Sequence, residues 1–314
     1  MSQNPFPTNP DLTAIAIAYR NKNLIADQIL PRTPVNARAF KWTEIPKGQM
    51  MTVPETSVGR RGTPNVVEFG GTERNGSCDD YALDDIVPQD DIEASASASN
   101  FDPLNTATTG LTALIELDRE VRVAQLVFDP SVYEHKAVLD GTSKWDGLNG
   151  AGNPVDPIPV IGEALDVPMM RPNVLILGQK VATKLRQNPN FIKAYNGSLG
   201  DTGMVPLDFI AGLFGLEDIV VGQGRINIAK PGQPVQIMNV WGNHASLIYR
   251  NPQARPDRDV TFGLTATWGS RMAGDWYDQN VGMRGGRQLR VGESVKEIIM
   301  ATDCAYFFEN VLSA

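Results

Sequence analysis

Apolar residues recur at steps of three and four along Ala107, Leu111, Leu114, Leu117, Val121, Ala124 and Phe128. That spacing draws one continuous stripe down an α-helix. Asp102 is a good N-cap, Pro103 suits the first helical position, and Asp129 followed by Pro130 ends the pattern. A helix from Leu104 to Val127 would be about 36 Å long at its usual rise per residue, long enough to act as a spine. The stripe predicts Leu111, Leu114, Leu117 and Val121 as its core face. Glu116, Asp118, Arg119, Glu120 and Arg122 then fall on the solvated face, with Asp118 and Arg122 spaced to pair.

Residues 1–37 read as an arm. Pro5, Pro7 and Pro10 keep its start extended, Asp11 opens a short helix to Tyr19, and a second one, Leu24–Leu30, stops at Pro31 and Pro34. Residues 38–75 read as a long hairpin. Phe40 and Trp42 alternate with polar neighbours, Val67 and Phe69 form the return strand, and a Gly- and Pro-punctuated connection lies between. Ala94–Asn100 is small and polar, a linker ahead of the spine. Beyond the spine the chain mixes short elements. Asn173–Leu177 is a buried strand leading into a helix to Arg186; Leu207–Leu213 is a helix and Ile219–Val221 a strand. Val235–Val240 and Ala245–Tyr249 read as a strand pair, Thr261–Trp268 and Gln288–Ala301 as extended segments, and Tyr306–Phe308 as an aromatic tail in the core. The fold class is α+β.

Composition removes several classes of function. With 42% hydrophobic and 20% charged residues over 314 positions, the chain can bury a core. Its apolar runs are too short to cross a bilayer, and its start lacks the pattern of a secretory signal. Cys78 and Cys304, far apart, read as two reduced thiols. A net charge of −8 argues against a surface that grips phosphates; if the chain meets DNA, it would surround it rather than bind it. Gly178 is followed by Gln179, Lys180 and Val181, so no phosphate-cradling loop follows the buried strand. His135 and His244 have no metal-ligand spacing, and no Gly-x-Ser-x-Gly elbow occurs. The aspartates of the run 79–93 come in adjacent pairs, whose side chains face opposite ways on a strand, unlike a calcium loop. Arg284, Arg287 and Arg290 lack interleaved aromatics and read as an interface or a solvated strand. No catalytic, metal or cofactor site emerges; the chain reads as a structural protein and not an enzyme.

The order of arm, hairpin, acidic segment, spine, mixed domain and long closing strand resembles the major capsid proteins of tailed bacteriophages with the Hong Kong 97-type fold. The segments Leu12–Tyr19 (LTAIAIAY), Leu24–Pro31 (LIADQILP), Tyr81–Gln89 (YALDDIVPQ), Leu117–Arg122 (LDREVR), Thr261–Ser270 (TFGLTATWGS) and Val291–Lys296 (VGESVK) are similar to those of a group from siphophages and transposable phages. The resemblance implies an N-terminal arm (1–37) reaching onto adjacent subunits and an extended loop (38–80). It implies a peripheral domain (81–136 and 261–303) and an axial domain (137–260 and 304–314). It also implies hexamers and pentamers closing an icosahedral shell around double-stranded DNA, a virion location after assembly in the host cytoplasm, and no membrane. An encapsulin-type compartment shell is the alternative. Because capsid-like sequence begins near residue 11, a separate scaffolding protein is expected, with a portal and a decoration protein as further partners.

Residues 38–64 carry Arg38, Lys41, Lys47, Arg60 and Arg61 against Glu44 and Glu55, a net of +3. Phe40, Trp42, Lys47, Arg60 and Arg61 are therefore expected to touch a neighbouring subunit. Asp79, Asp80, Asp84, Asp85, Asp90 and Asp91 are their expected acidic partners.

Overall fold

The computed structural model describes residues 6–44, 52–67, 72–98, 102–197, 200, 202–255 and 259–313. The arm holds α1 (Pro10–Ala18), α2 (Ala26–Ile29) and β1 (Arg32–Pro34). Asn9 rather than Asp11 caps α1, its side chain accepting from the Asp11 and Leu12 amides. From residue 6 onward the arm lies on its own chain. Leu12, Ala16, Ile25, Ala26, Ile29 and Leu30 are all buried against it.

The hairpin strands are β2 (Ala39–Glu44) and β3 (Thr72–Ser77). The return strand is the polar stretch TERNGS rather than the Val67–Phe69 region; Val67 lies in no strand, and Phe69 is outside the described residues. Register explains the choice. Phe40 stands opposite Gly76 and Trp42 opposite Arg74, and a Cβ at residue 76 would come within 2.8 Å of the Trp42 ring. The two aromatics need a partner strand with nothing at that position, which an apolar strand could not offer.

Next come β4 (Asp79–Pro88), α3 (Gln89–Ala98) and the spine α4 (Pro103–Val127). Residues 94–98, expected as linker, continue α3, because the Ala and Ser there leave helix formation unopposed. Asp102 caps α4 by accepting from the Leu104 amide at 2.9 Å. The buried face of α4 is Thr108, Leu111, Thr112, Ile115, Arg119, Glu120, Val123, Ala124 and Val127. Leu111 is on it as expected. Leu114, 55% exposed, is not, and Leu117 and Val121 are only half-buried. The true stripe includes Thr108, Thr112, Arg119 and Glu120, which a search for apolar letters passes over.

The remaining elements are β5 (His135–Val138), α5 (Pro157–Leu165), β6 (Val174–Gly178), α6 (Gln179–Arg186), α7 (Pro189–Asn196), α8 (Leu207–Phe214), β7 (Asp218–Gly222), β8 (Arg225–Asn227), β9 (Ile237–Asn239), β10 (Ala245–Ile248), β11 (Gly263–Thr267), β12 (Met272–Asp278), β13 (Gly286–Ile299) and β14 (Ala305–Glu309). They make two five-stranded sheets. In one, β13 is the axis: its first half lies between β12 and β4, its second half pairs with β11, and β1 closes that edge. The other has the order β5-β14-β10-β6-β7. There β9 and β10 do not pair, contrary to expectation. β9 turns back onto β8, while β10 enters the sheet between β6 and the aromatic β14, where its four residues are buried.

The spine serves both sheets. Its first half, with Leu111 and Ile115, packs on α1 and on Ala273, Leu289 and Val291 of the first sheet. Its second half, with Val123, Ala124 and Val127, packs under Val174, Ile176 and Phe307 of the second. Helices α5 to α8 cover the opposite face of that second sheet.

Candidate functional site

The hairpin carries a segment that the rest of the chain does not complete. Residues 52–67 form no regular element and are exposed throughout. Val53 and Val66 are 90% and 96% exposed, with Val58 and Val67 also open. Arg60 and Arg61 lie in a turn closed by a 2.8 Å bond from the Gly62 amide to the Gly59 carbonyl. Four valines in water gain nothing for a lone molecule; such apolar display usually marks an interaction surface. The base of the hairpin behaves oppositely. Phe40 and Trp42, two of the expected contact residues, are half-buried on Cys78, Leu264, Ala266, Ile298 and Met300 of their own chain and anchor the base of the hairpin there. Lys47 lies outside the described residues.

The acidic strand is largely neutralised within the molecule. Asp79 meets Lys296 at 2.9 Å, Asp80 meets Arg38 at 2.9 Å, Asp84 meets Arg290 at 2.6 Å and Asp90 meets Arg284 at 3.1 Å. The Arg290 guanidinium holds the Asp84 carboxyl below its ordinary value, and Asp79 raises the Lys296 ammonium above its own. The physical reason is the long pairing of β4 with β13, which sets Asp84 opposite Arg290. Four of the six expected intersubunit carboxylates thus already have a cation. Among the described residues no ion pair reaches Asp85 or Asp91.

A buried polar junction, unforeseen in the sequence, ties arm, spine, first sheet and the Trp241 loop together. Glu120 of α4 accepts from the Ile25 and Ala26 amides at 2.9 and 2.8 Å and from the Trp241 indole at 2.6 Å. It thereby supplies the N-terminal acceptor that α2 lacks at its own cap. Burial pushes the Glu120 carboxyl above its ordinary value, against the pull of those donors. One residue earlier, Arg119 pairs with Asp27 and donates to the Thr265 hydroxyl at 2.8 Å. Arg32 bridges Asp27 and Glu293, both at 2.8 Å, and Arg271 reaches Glu293 at 3.0 Å and Glu116 at 3.1 Å. Burial pushes Glu293 and Asp27 upward, but the guanidiniums around each outweigh it and hold both below the usual carboxylate range. Arg119 and Glu120, assigned to the solvated face by their letters, are 2% and 0% exposed. The available signal was the wealth of charge on a helix in contact with an arm holding Asp27 and Arg32.

The two histidines and two cysteines have structural surroundings. Among the described residues no three of His, Cys, Asp and Glu are grouped to hold a metal. His135 pairs with Asp303, and His244 stacks on Phe307. Cys78 and Cys304 are free and buried, with burial and Asp303 pushing the Cys304 thiol up to about 11. No described helix is long and apolar enough to cross a membrane.

Comparison with known proteins gives a consistent result, although no protein-family profile matches the chain. It is 49% identical over 316 aligned positions to the major capsid protein of Pseudomonas phage JBD67, covering 100% of both chains. It is 26% identical to that of Burkholderia phage BcepMu over 82% of each. Among solved structures it superposes on a phage-related protein of Bordetella bronchiseptica with a TM-score of 0.77 at 22% identity, over 99% of this chain and 100% of the other. The capsid of cyanophage P-SCSP1u gives 0.56 at 10% identity over 98% and 90%, and an encapsulin of Synechococcus elongatus 0.51 at 10% over 94% and 90%.

Proposed function

The chain belongs to the phage major capsid proteins, with the Hong Kong 97-type fold, and on that premise we propose how its surfaces build a shell. An encapsulin role is not favoured, since that likeness, at 10% identity, concerns the fold alone, whereas the capsid protein of phage JBD67 shares sequence along the whole chain. The capsid role is structural, and we assign no catalytic step to any residue.

Residues 38–80 act as an extended loop that lies across a neighbouring subunit. The observation that carries this reading is the row of exposed valines between two anchored strands. Covering such side chains is favourable by roughly 25 cal/mol per Å². Arg60 and Arg61 steer the approach, and Asp85 and Asp91 are the acidic positions with capacity left for them. Exposed ion pairs give only about 0–1 kcal/mol each, so they set register while the valines hold. Lys47 joins this contact, and Arg38 and Lys41, bound to Asp80 and Glu73 of their own chain, do not. The first sheet with the spine forms the peripheral domain (81–136 and 261–303), and the second sheet with α5 to α8 the axial domain (137–260 and 304–314). Contacts that run head to tail around a ring close into hexamers and pentamers. The shell encloses double-stranded DNA without reading it and assembles in the host cytoplasm on a separate scaffolding protein, with portal and decoration proteins as further partners.

The test is Arg60→Glu together with Arg61→Glu. The variant is expected to stay folded, with unchanged melting, and to yield no closed particles by negative-stain microscopy when co-expressed with its scaffold. Normal particles would reject charge steering by this loop.

A further inference from the structure

The exposed face of α4 forms the floor of an open groove of about 650 Å³. Gly110, Ala113, Leu114 and Leu117 make that floor, at the i, i+3, i+4, i+7 spacing of a helix-docking seam. Leu114 is 55% exposed, and a Cβ at Gly110 would meet nothing within 4 Å. Two small residues followed by two leucines let a second helix approach closely and then bury apolar surface. The walls are mostly polar: Asn21, Asn23, Gln179, Gln223 and Arg225, with Leu24 and Gly224 between them. Lys22, between the two asparagines in sequence, and Lys180, next to Gln179, are exposed. None of Arg225, Lys22 and Lys180 pairs with a carboxylate among the described residues, and no carboxylate lines the groove. The nearby acids on the helix are committed, Asp118 to Arg122 and Glu120 to Trp241. In a chain of net charge −8 the charged side chain that lines this groove, Arg225, is a cation.

We propose that this groove docks an amphipathic α-helix with acidic flanks, supplied by a different protein during shell assembly. Charge complementarity selects acidic flanks, and the leucine floor selects an apolar seam. Duplex DNA would satisfy the cations and leave Leu114 and Leu117 without a partner. The chain's own acidic helix, α3, is held on its own β4 and β13, with Arg284 across Asp90, so a second copy does not offer it. The inference rests on the assembly reading above, because the partner takes the place assigned there to the scaffolding protein.

The test uses the purified, unassembled full chain and two fluorescein-labelled, stapled helical peptides of about five turns. Both carry leucines at the seam; one is flanked by Glu and the other by Lys. Fluorescence anisotropy at low salt is expected to show the Glu peptide binding about tenfold tighter or more. Leu114→Asp abolishes that binding at unchanged melting temperature, Ala113→Trp does the same by filling the groove, and Arg225→Glu with Lys22→Glu reverses the preference. Equal binding of the two peptides, or binding indifferent to Leu114→Asp and Ala113→Trp, overturns the proposal. Displacement of the peptide by duplex DNA, or self-association that Leu114→Asp breaks, overturns it in favour of DNA or a second copy. If shells form with the scaffold while the peptides fail, the groove assignment alone is lost. If the Glu peptide binds as expected and no shell ever forms, the assembly reading is lost and the groove stands.

Discussion

Two adjacent residues of the spine separate the observed packing from the one its letters imply. Ile115 is 3% exposed and lies among Leu12, Ala16, Ala273, Leu289 and Val291, where the arm and the first sheet meet the helix. Ile115→Ala removes three carbons from a filled site and costs about 3 kcal/mol, the lost transfer energy plus the cavity left behind. Leu114, a hundred degrees around the helix, is 55% exposed; Leu114→Ala gives up little burial and costs under about 1 kcal/mol. At about 2 °C per kcal/mol for a chain of this size, the first variant melts about 6 °C lower and the second within about 2 °C of the parent. Far-UV circular dichroism melts of unassembled subunits, with urea midpoints as a check on irreversibility, read the difference. Charge sharpens it: Leu114→Asp folds, whereas Ile115→Asp, an unpaired carboxylate in a closed core, does not. A Leu114 variant as costly as its Ile115 counterpart would show that the spine's buried face runs through Leu114 and Leu117 after all.

Other outcomes follow from the same packing. Gly110→Ala, in open space on a helix, gains up to about 1 kcal/mol of helix propensity, whereas Gly222→Ala places a Cβ inside the Trp241 ring and gives insoluble or grossly destabilised protein; paired expression and melting assays check both. Glu293 and Asp27 have lowered folded-state values. Their stabilisation is present above the ordinary carboxylate range and is lost as pH falls through the lowered folded values, so the melting temperature drops progressively once the pH falls below about 5. Glu293→Gln melts lower at neutral pH and gives a flatter acid limb. Glu120 has the opposite sign: with its value raised, its share of stability is lost as pH rises through that value.

The sequence made legible what depends on neighbours along the chain. The cap at Asp102, the helix to Val127 and the buried run Val174–Leu177 lie where propensity and period put them. It misled where a partner strand or a buried charge decides. The return strand at 72–77 owes its place to Gly76 under Trp42, a pairing that no window of hydrophobicity contains. The phase of the spine shifted because Arg119 and Glu120 are inside, each held by groups far away in sequence: Asp27, Thr265, Ile25, Trp241. The acidic run was legible as charge, but its cis partners Arg290 and Lys296 become visible only with the register of β4 on β13. Replacing one member of such a junction costs about 3–5 kcal/mol by stranding the other, which explains why these letters can occupy a core.

On the reading proposed above, what makes this chain a shell subunit is surface that another copy completes. Electron cryo-microscopy of particles assembled from it addresses that at once, by tracing residues 52–67 in place. The account predicts density for Val53, Val58 and Val66 against an adjacent subunit, with Arg60 and Arg61 near its Asp85 and Asp91. Density for this segment folded onto its own peripheral sheet, in a closed particle, would contradict it.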